Sequence, residues 1–271
     1  MKIVAFIPAR YHSTRFFRGQ TGPPTPKSLA LVHDDTTNED KPMIQRVYEC
    51  ALGCSDLSDT YVTTDDERIV ACVEGFGGKA ILTAKKHPSG TDRIAEAAQK
   101  IGLKKDDVVV NVQGDQPNFH PACISLMIAP LLENPDIVMS TLMFPIRGEK
   151  DVQNPFNIKV VTDEKGFALY FSHSPIPCYR DGGPEQRHYK HLGFYAYRID
   201  FLVKFASLPV GVLESAEKLE QLRALENGFR IKVIESPYDS IEVDRPEDVK
   251  RVEEQISRED YCKGYQGGSK G

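Results

Sequence analysis

Through the first half of the chain, short apolar runs of strand length alternate with segments of helical period. Residues 2–7 form a continuous apolar run that stops at Pro8, which cannot donate to a strand ladder. Pro42 opens a helix at its first position, where a missing N–H is harmless. That helix carries Met43, Ile44, Val47, Tyr48, Ala51 and Leu52 on one face. Residues 60–64 read as a strand. Asp65 is placed to cap the next helix, whose face holds Ile69, Val70, Val73 and Phe76 and which ends at Gly77-Gly78. Residues 80–82 are a short strand, and Ile94, Ala95, Ala98 and Ile101 mark a helix stopped at Gly102. Residues 108–112 and 137–144 are further strand signals. Such alternation argues for an α/β fold with a parallel sheet of βαβ units.

The second half changes character. Residues 158–161, 168–171 and 192–197 read as strands separated by turns, a β-rich insert at about residues 155–212. Helical pattern returns at 214–227, with Leu219, Leu222 and Leu225 inward and Gly228 as the stop. A strand at 231–234 follows, and Pro246 opens a last helix through Val249, Val252 and Ile256. We therefore expect one domain over residues 1–256 and a polar, glycine-rich, frayed tail at 257–271.

Composition narrows the function classes. With 34 Lys+Arg against 39 Asp+Glu the net charge is −5, a poor basis for non-specific nucleic-acid binding. No apolar run approaches the roughly 20 residues that cross a bilayer, and residues 2–7 are too short for a signal-peptide core. The six cysteines form no C-x-x-C pair. We expect reduced, packed thiols and a cytoplasmic protein that engages neither nucleic acid nor membrane.

In an open parallel sheet, ligands bind beyond the carboxyl ends of the strands. Two loops lie there. The first is a long one, residues 9–41, and it holds Arg10, Arg15, Arg18, Lys27 and Lys41. Arg10 and Arg15 suit bidentate bonds to phosphate, with Ser13, Thr14 and backbone N–H groups as further donors; the alternative is a solvated basic loop. The second loop sets Asp115 directly after a buried strand, where it serves either a turn or a hard divalent cation. Asp244, just before Pro246, is a second carboxylate, or else a simple helix cap. Other chemistries are absent. Gly75-Phe76-Gly77-Gly78 ends a helix rather than opening one, and there is no P-loop and no G-x-S-x-G elbow. The seven histidines lack metal-ligand spacing.

These residues resemble one family closely. Ile7-Pro8-Ala9-Arg10-Tyr11, Ser13, Arg15-Phe16, Lys41-Pro42-Met43-Ile44-Gln45, Thr63-Thr64-Asp65-Asp66-Glu67-Arg68-Ile69 and Ser89-Gly90-Thr91-Asp92-Arg93 occur in order. Asn111-Val112-Gln113-Gly114-Asp115-Gln116-Pro117, Lys159-Val160-Val161, Ala168-Leu169-Tyr170-Phe171-Ser172 and His191-Leu192-Gly193 follow. Tyr195, Leu219-Glu220-Gln221-Leu222-Arg223 and Val243-Asp244, then Pro246-Glu247-Asp248, complete the series. The series is similar to the 3-deoxy-manno-octulosonate cytidylyltransferases (CMP-Kdo synthetases) over all of the chain except a loop insertion and the tail.

The resemblance implies a nucleotidyltransferase-type, Rossmann-like mixed sheet flanked by helices, with a β-rich lobe that helps bind sugar and form a homodimer. It implies transfer of CMP from CTP to a 3-deoxy-octulosonic acid with release of pyrophosphate, a step toward surface lipopolysaccharide. It also implies site residues. Pro8, Ala9, Arg10, Ser13, Arg15, Lys27, Ser89, Gly90 and Thr91 would hold the nucleotide, with Arg10, Arg15 and Lys27 also serving catalysis. Asp115 and Asp244 would be catalytic and hold Mg²⁺. Gln113, His173, Arg180, His191, Tyr195, Glu220 and Gln221 would meet the sugar acid.

Two departures from the family pattern matter. An insertion follows Phe16, so that either Lys27 or Arg18 takes the place of the phosphate-binding lysine. His173 follows Ser172 where the family carries arginine. Loss of a planar, permanently charged fork points to a modified sugar, such as the 8-amino acid, or another ulosonic acid. Two rival readings share the fold: a sugar-1-phosphate nucleotidyltransferase, which would show a glycine-rich first loop, and a non-catalytic nucleotide-binding relative.

Overall fold

The computed structural model describes residues 1–11, 16, 25–34, 38–180, 187–259 and 261. Its centre is a mixed sheet. β1 (Ile3–Pro8), β4 (Asp59–Thr64), β5 (Ala80–Leu82) and β6 (Val108–Asn111) run parallel, as the alternation predicts. β7 (Met139–Ile146) and β11 (Lys232–Glu235) form a second parallel pair. Between the two sets lies β10 (His188–Arg198), antiparallel to both β6 and β7, giving the order β11-β7-β10-β6-β1-β4-β5. β8 (Lys159–Thr162) and β9 (Ala168–Ser172) pair with each other, and β8 joins the start of β10. The β-rich insert is therefore an outgrowth of the main sheet. Its strand character stops at Arg198, short of the expected limit of 212.

Helices cover both faces. One face buries Ala5, Ile7, Val110 and Val112 against α1 (Met43–Leu52), α2 (Glu67–Gly75) and α4 (Ala122–Glu133). The other buries Val4, Phe6, Val109 and Tyr197 against α3 (Gly90–Lys100), α6 (Ile199–Ser207) and α8 (Leu222–Glu226). β1 contributes to both faces, so it reads as an unbroken apolar run rather than an alternating one.

Several boundaries differ from expectation for identifiable reasons. Asp66, not Asp65, caps α2 by accepting from Arg68 N, while Asp65 faces Arg93. α1 begins at Met43, with Pro42 just outside it. The helical pattern at 214–227 is two pieces, α7 (Val212–Glu217) and α8, broken at Lys218 in the left-handed region at φ 57°. α4 escapes a periodicity search because it is apolar nearly all round and contains Pro130. α6 and the short α5 (Glu149–Gln153) are likewise not expected from the pattern. Cys54, Cys72, Cys123 and Cys178 are free thiols as expected, but Cys50 is disulfide-bonded, against the expectation of reduced thiols throughout.

The described part of the long first loop carries secondary structure. Its second half forms a 3-10 turn at Lys27–Leu29 and a hairpin, β2 (Leu31–Asp34) with β3 (Glu39–Pro42). The hairpin packs on the last helix, α9 (Pro246–Arg258). Phe16, Ala30, Val32 and Met43 bury themselves against Val243, Val252 and Ile256 in a small cluster apart from the main core. Truncating Ile256, which is 0% exposed, to alanine should cost about 2 kcal/mol or more in urea denaturation. It should also lower turnover more than an equally destabilising Leu131→Ala in the main core; equal effects would show that this cluster does not support the site.

Candidate active site

The site is assembled where three segments meet beyond the ends of β1 and β6. A Cβ on Gly114 would lie 2.8 Å from the Pro8 carbonyl oxygen, so glycine alone lets the two backbones cross. Past this crossing, Asp115 O accepts from Val243 N at 2.8 Å. That bond lays the segment before α9 against the loop after β6. Lys27, on the 3-10 turn, fills the junction. Its Nζ is 2.7 Å from Asp115 Oδ2 and 3.7 Å from Asp244 Oδ1.

The two aspartates are thus neighbours, and the simpler roles open to each do not describe them. Arg245, not Asp244, stands at the cap of α9, and Asp248 accepts the backbone N–H of both. Asp115 reaches past its own turn to an ammonium group. Burial alone would lower the Lys27 pKa, but Asp115 above all, then Glu242 and Asp244, carry it above the ordinary lysine value. Asp115 Oδ1 is buried and has no hydrogen-bond partner. Leaving such an oxygen unpaired costs roughly 1–3 kcal/mol, and a hard cation is a group that would satisfy it. Among the described residues, no group of three or more His, Cys, Asp or Glu side chains forms a metal cage. An ion held here has two protein carboxylates to bind.

The expected nucleotide residues gather beside β1. Ala9 is buried and donates to Thr63 O at 2.9 Å. Gly90 abuts Pro8, since a Cβ there would lie 3.3 Å from Pro8 Cγ. Ser89 caps α3 and exchanges hydrogen bonds with Asp92. Arg10 is exposed and donates to His87 O at 3.3 Å. It lines a cavity of about 390 Å³ with Tyr11, Arg68, His87 and Arg93. Ser13, Arg15 and Arg18 lie outside the described residues.

Three of the expected sugar residues, Gln113, His191 and Tyr195, meet around the middle of β10. Gly193, at φ 77°, forms a bulge between His191 and Tyr195. The bulge turns the Gly193 carbonyl to Gln113 Nε2 at 3.1 Å and the Leu192 carbonyl to Gln116 Nε2 at 2.7 Å. His191 opens onto a cleft of about 690 Å³ that also reaches Asp244. Its Nε2 meets Thr141 Oγ1 at 2.8 Å, and burial holds its pKa down at about 3, so the ring is neutral. Tyr195 packs 5.2 Å from His191 in the core, where burial pushes its phenol well above the usual range. Thr91 donates to Glu220 Oε2 at 2.7 Å, joining the two sets of residues directly. Burial raises the Glu220 carboxyl, although Ser89 and Thr91 oppose this. Buried Gln221 Nε2 has no hydrogen-bond partner. His173 and Arg180 stand apart on the outgrowth: His173 Nδ1 meets Pro155 O at 2.6 Å, and Arg180 is exposed.

Some supporting residues are not evident from sequence. Gln116 is 3% exposed and bridges the β10 bulge to Ser240. Arg93, 1% exposed, braces the segment after β5 through Thr83 and reaches Asp65 at 3.3 Å. Arg93 closes the Ser89-Gly90-Thr91-Asp92-Arg93 motif and Gln116 lies in Asn111–Pro117, which is the one signal that could have marked them.

Between the depressed His191 value of about 3 and an unfolded value of about 6.5, the unfolded chain binds the extra proton. The stability tied to this neutral ring therefore falls as pH drops below the upper value. Urea denaturation at about pH 7 and about pH 5 should show a smaller acid loss in His191→Gln than in wild type. An unchanged loss would remove the ring from the pH response.

Residues 39–234 match the Cytidylyltransferase family model. A 3-deoxy-manno-octulosonate cytidylyltransferase of Desulfatibacillum aliphaticivorans is 53% identical, covering 93% of this chain and 98% of its own. An 8-amino-3,8-dideoxy-manno-octulosonate cytidylyltransferase of Shewanella baltica is 46% identical, covering 95% and 99%. A solved CMP:2-keto-3-deoxy-manno-octonic acid synthetase complexed with CTP superposes with a TM-score of 0.84 at 37% identity, covering 95% and 99%. By sequence and by fold, this chain belongs to the 3-deoxy-manno-octulosonate cytidylyltransferase family of nucleotidyltransferases.

Proposed function

We propose that the chain transfers CMP from CTP to the anomeric hydroxyl of a 3-deoxy-octulosonic acid, with release of pyrophosphate. The observation that carries this reading is the meeting of Asp115 and Asp244 at Lys27, beside the end of the first strand. In-line attack on the α-phosphorus requires a fixed triphosphate, a fixed hydroxyl and charge placed against the leaving group. Arg10, with Ser13 and Arg15 after it, supplies donors for phosphate oxygens. Lys27 supplies a charged ammonium at the same junction; Arg18 is the alternative for that duty. Ser89, Gly90 and Thr91 line the side where the cytidine would rest.

Asp115 and Asp244 are the residues that would hold Mg²⁺, and the unpaired Asp115 Oδ1 suits that use. Bound there, the ion would neutralise phosphate charge and acidify the attacking hydroxyl. The sugar acid would lie against Gln113, His191, Tyr195, Glu220 and Gln221, with His173 and Arg180 at the outer side. The neutral His191 ring orients a hydroxyl without adding charge. A homodimer built on the β-rich outgrowth, and a cytoplasmic location, belong to the same proposal.

One observation favours a second reading of the sugar. His173 stands where the family carries a guanidinium, and its ring is engaged with a backbone carbonyl, so this position itself offers no bidentate fork. With the Shewanella baltica relative named for the 8-amino acid, this supports a modified octulosonate as substrate. Pyrophosphate release from CTP with a panel of 3-deoxy ulosonic acids decides between them; the highest kcat/KM with the unmodified acid would remove the second reading. Asp115→Asn and Asp244→Asn should each lower kcat by about two orders of magnitude or more while melting normally, and a chelator should do the same to wild type. Wild-type rates in both variants would overturn the metal assignment.

A further inference from the structure

Glu96 lies on α3, outside every group of residues given a substrate contact above. Its carboxylate gathers donors from the segment between β5 and α3. Ala84 N lies 3.2 and 3.0 Å from its two oxygens. The His87 ring Nε2 meets Oε2 in a very short hydrogen bond. Lys100, one turn along the helix, is 2.7 Å from Oε1 and also donates to Leu82 O at 2.7 Å. Ala84, Lys85, Lys86 and Pro88 are exposed, so little apolar burial orders this stretch, and polar ties must supply the order instead. The carbonyl of the same His87 accepts from Arg10 Nη2. A continuous chain of contacts therefore runs from the Glu96 carboxylate through His87 to the guanidinium at the end of β1.

We propose that Glu96 is a positioning residue for the nucleotide site: through the His87 ring it fixes the segment after β5, and through the His87 carbonyl it sets the pose of Arg10. The inference rests on the proposed function, in which Arg10 meets the phosphates of CTP. Glu96 touches no reacting atom. Burial works to raise its pKa, but Lys100, the Ala84 N–H and His87 bring it down to about 2. The carboxylate is therefore ionised at any pH at which the enzyme would work.

The test is CTP binding by calorimetry for wild type, Glu96→Ala, His87→Ala and the double variant, each with a melting curve, alongside KM for the sugar acid. Each single change is expected to weaken CTP binding about tenfold. The double variant should lose clearly less than the product of the two, because the residues act in series. KM for the sugar acid should stay within about twofold. Glu96→Gln, which keeps an acceptor for Ala84 but no charge for His87, should lose severalfold, and it carries the test if the alanine variant does not fold. Wild-type CTP affinity in Glu96→Ala or Glu96→Gln overturns the inference. So do fully additive losses in the double variant, or a parallel rise in both substrates' constants with a lowered Tm. A wild-type chain that does not bind CTP overturns the proposed function, and this inference with it.

Discussion

One backbone hydrogen bond, from Val243 N to Asp115 O, determines whether this molecule has a site. It joins the loop after a central strand to the segment before the last helix. Each partner brings a carboxylate, and like charges at such range repel. The arrangement holds because Lys27 stands between them and because Val243 is anchored from behind in the small cluster with Phe16, Val32 and Met43. Chemistry at the front and apolar packing at the back stabilise the same few residues.

The two sides of the site differ in electrical character, and burial explains the difference. Around Lys27 the groups are charged, with Asp115, Glu242 and Asp244 acting on one ammonium. His191 and Tyr195 are themselves neutral, because burial opposes charge on either ring. The proposed function sets the triphosphate against Arg10 and Lys27 on the first side. A sugar with many hydroxyl groups suits the second, where orphaned donors such as Gln221 Nε2 await partners.

Much of this was legible in the residues, for physical reasons. The parallel half of the sheet shows as apolar runs because its strands are covered on both faces. Asp115 and Asp244 can be paired from sequence only through family motifs, since no local rule joins residues so far apart. What sequence does not reveal is tertiary in origin. The hairpin β2–β3 hides in a polar, proline-rich stretch because its order comes from packing on α9 rather than from its own pattern. The Gly193 bulge depends on carbonyl partners supplied by Gln113 and Gln116 in a different loop. α4 conceals its period because Leu126, Ala129 and the exposed Leu132 are apolar too, and they mask the buried face of Cys123, Ile124, Met127, Ile128 and Leu131.

The cluster behind Val243 draws on Phe16 from the opening of the chain and Ile256 from its last helix. During synthesis the central strands can pair while the final helix is still being made, since domains fold progressively from the leading end. Val243 lacks the apolar backing of Val252 and Ile256 until the last helix emerges from the ribosome. A polypeptide released before that point carries every strand of the described sheet yet leaves Val243 without that backing.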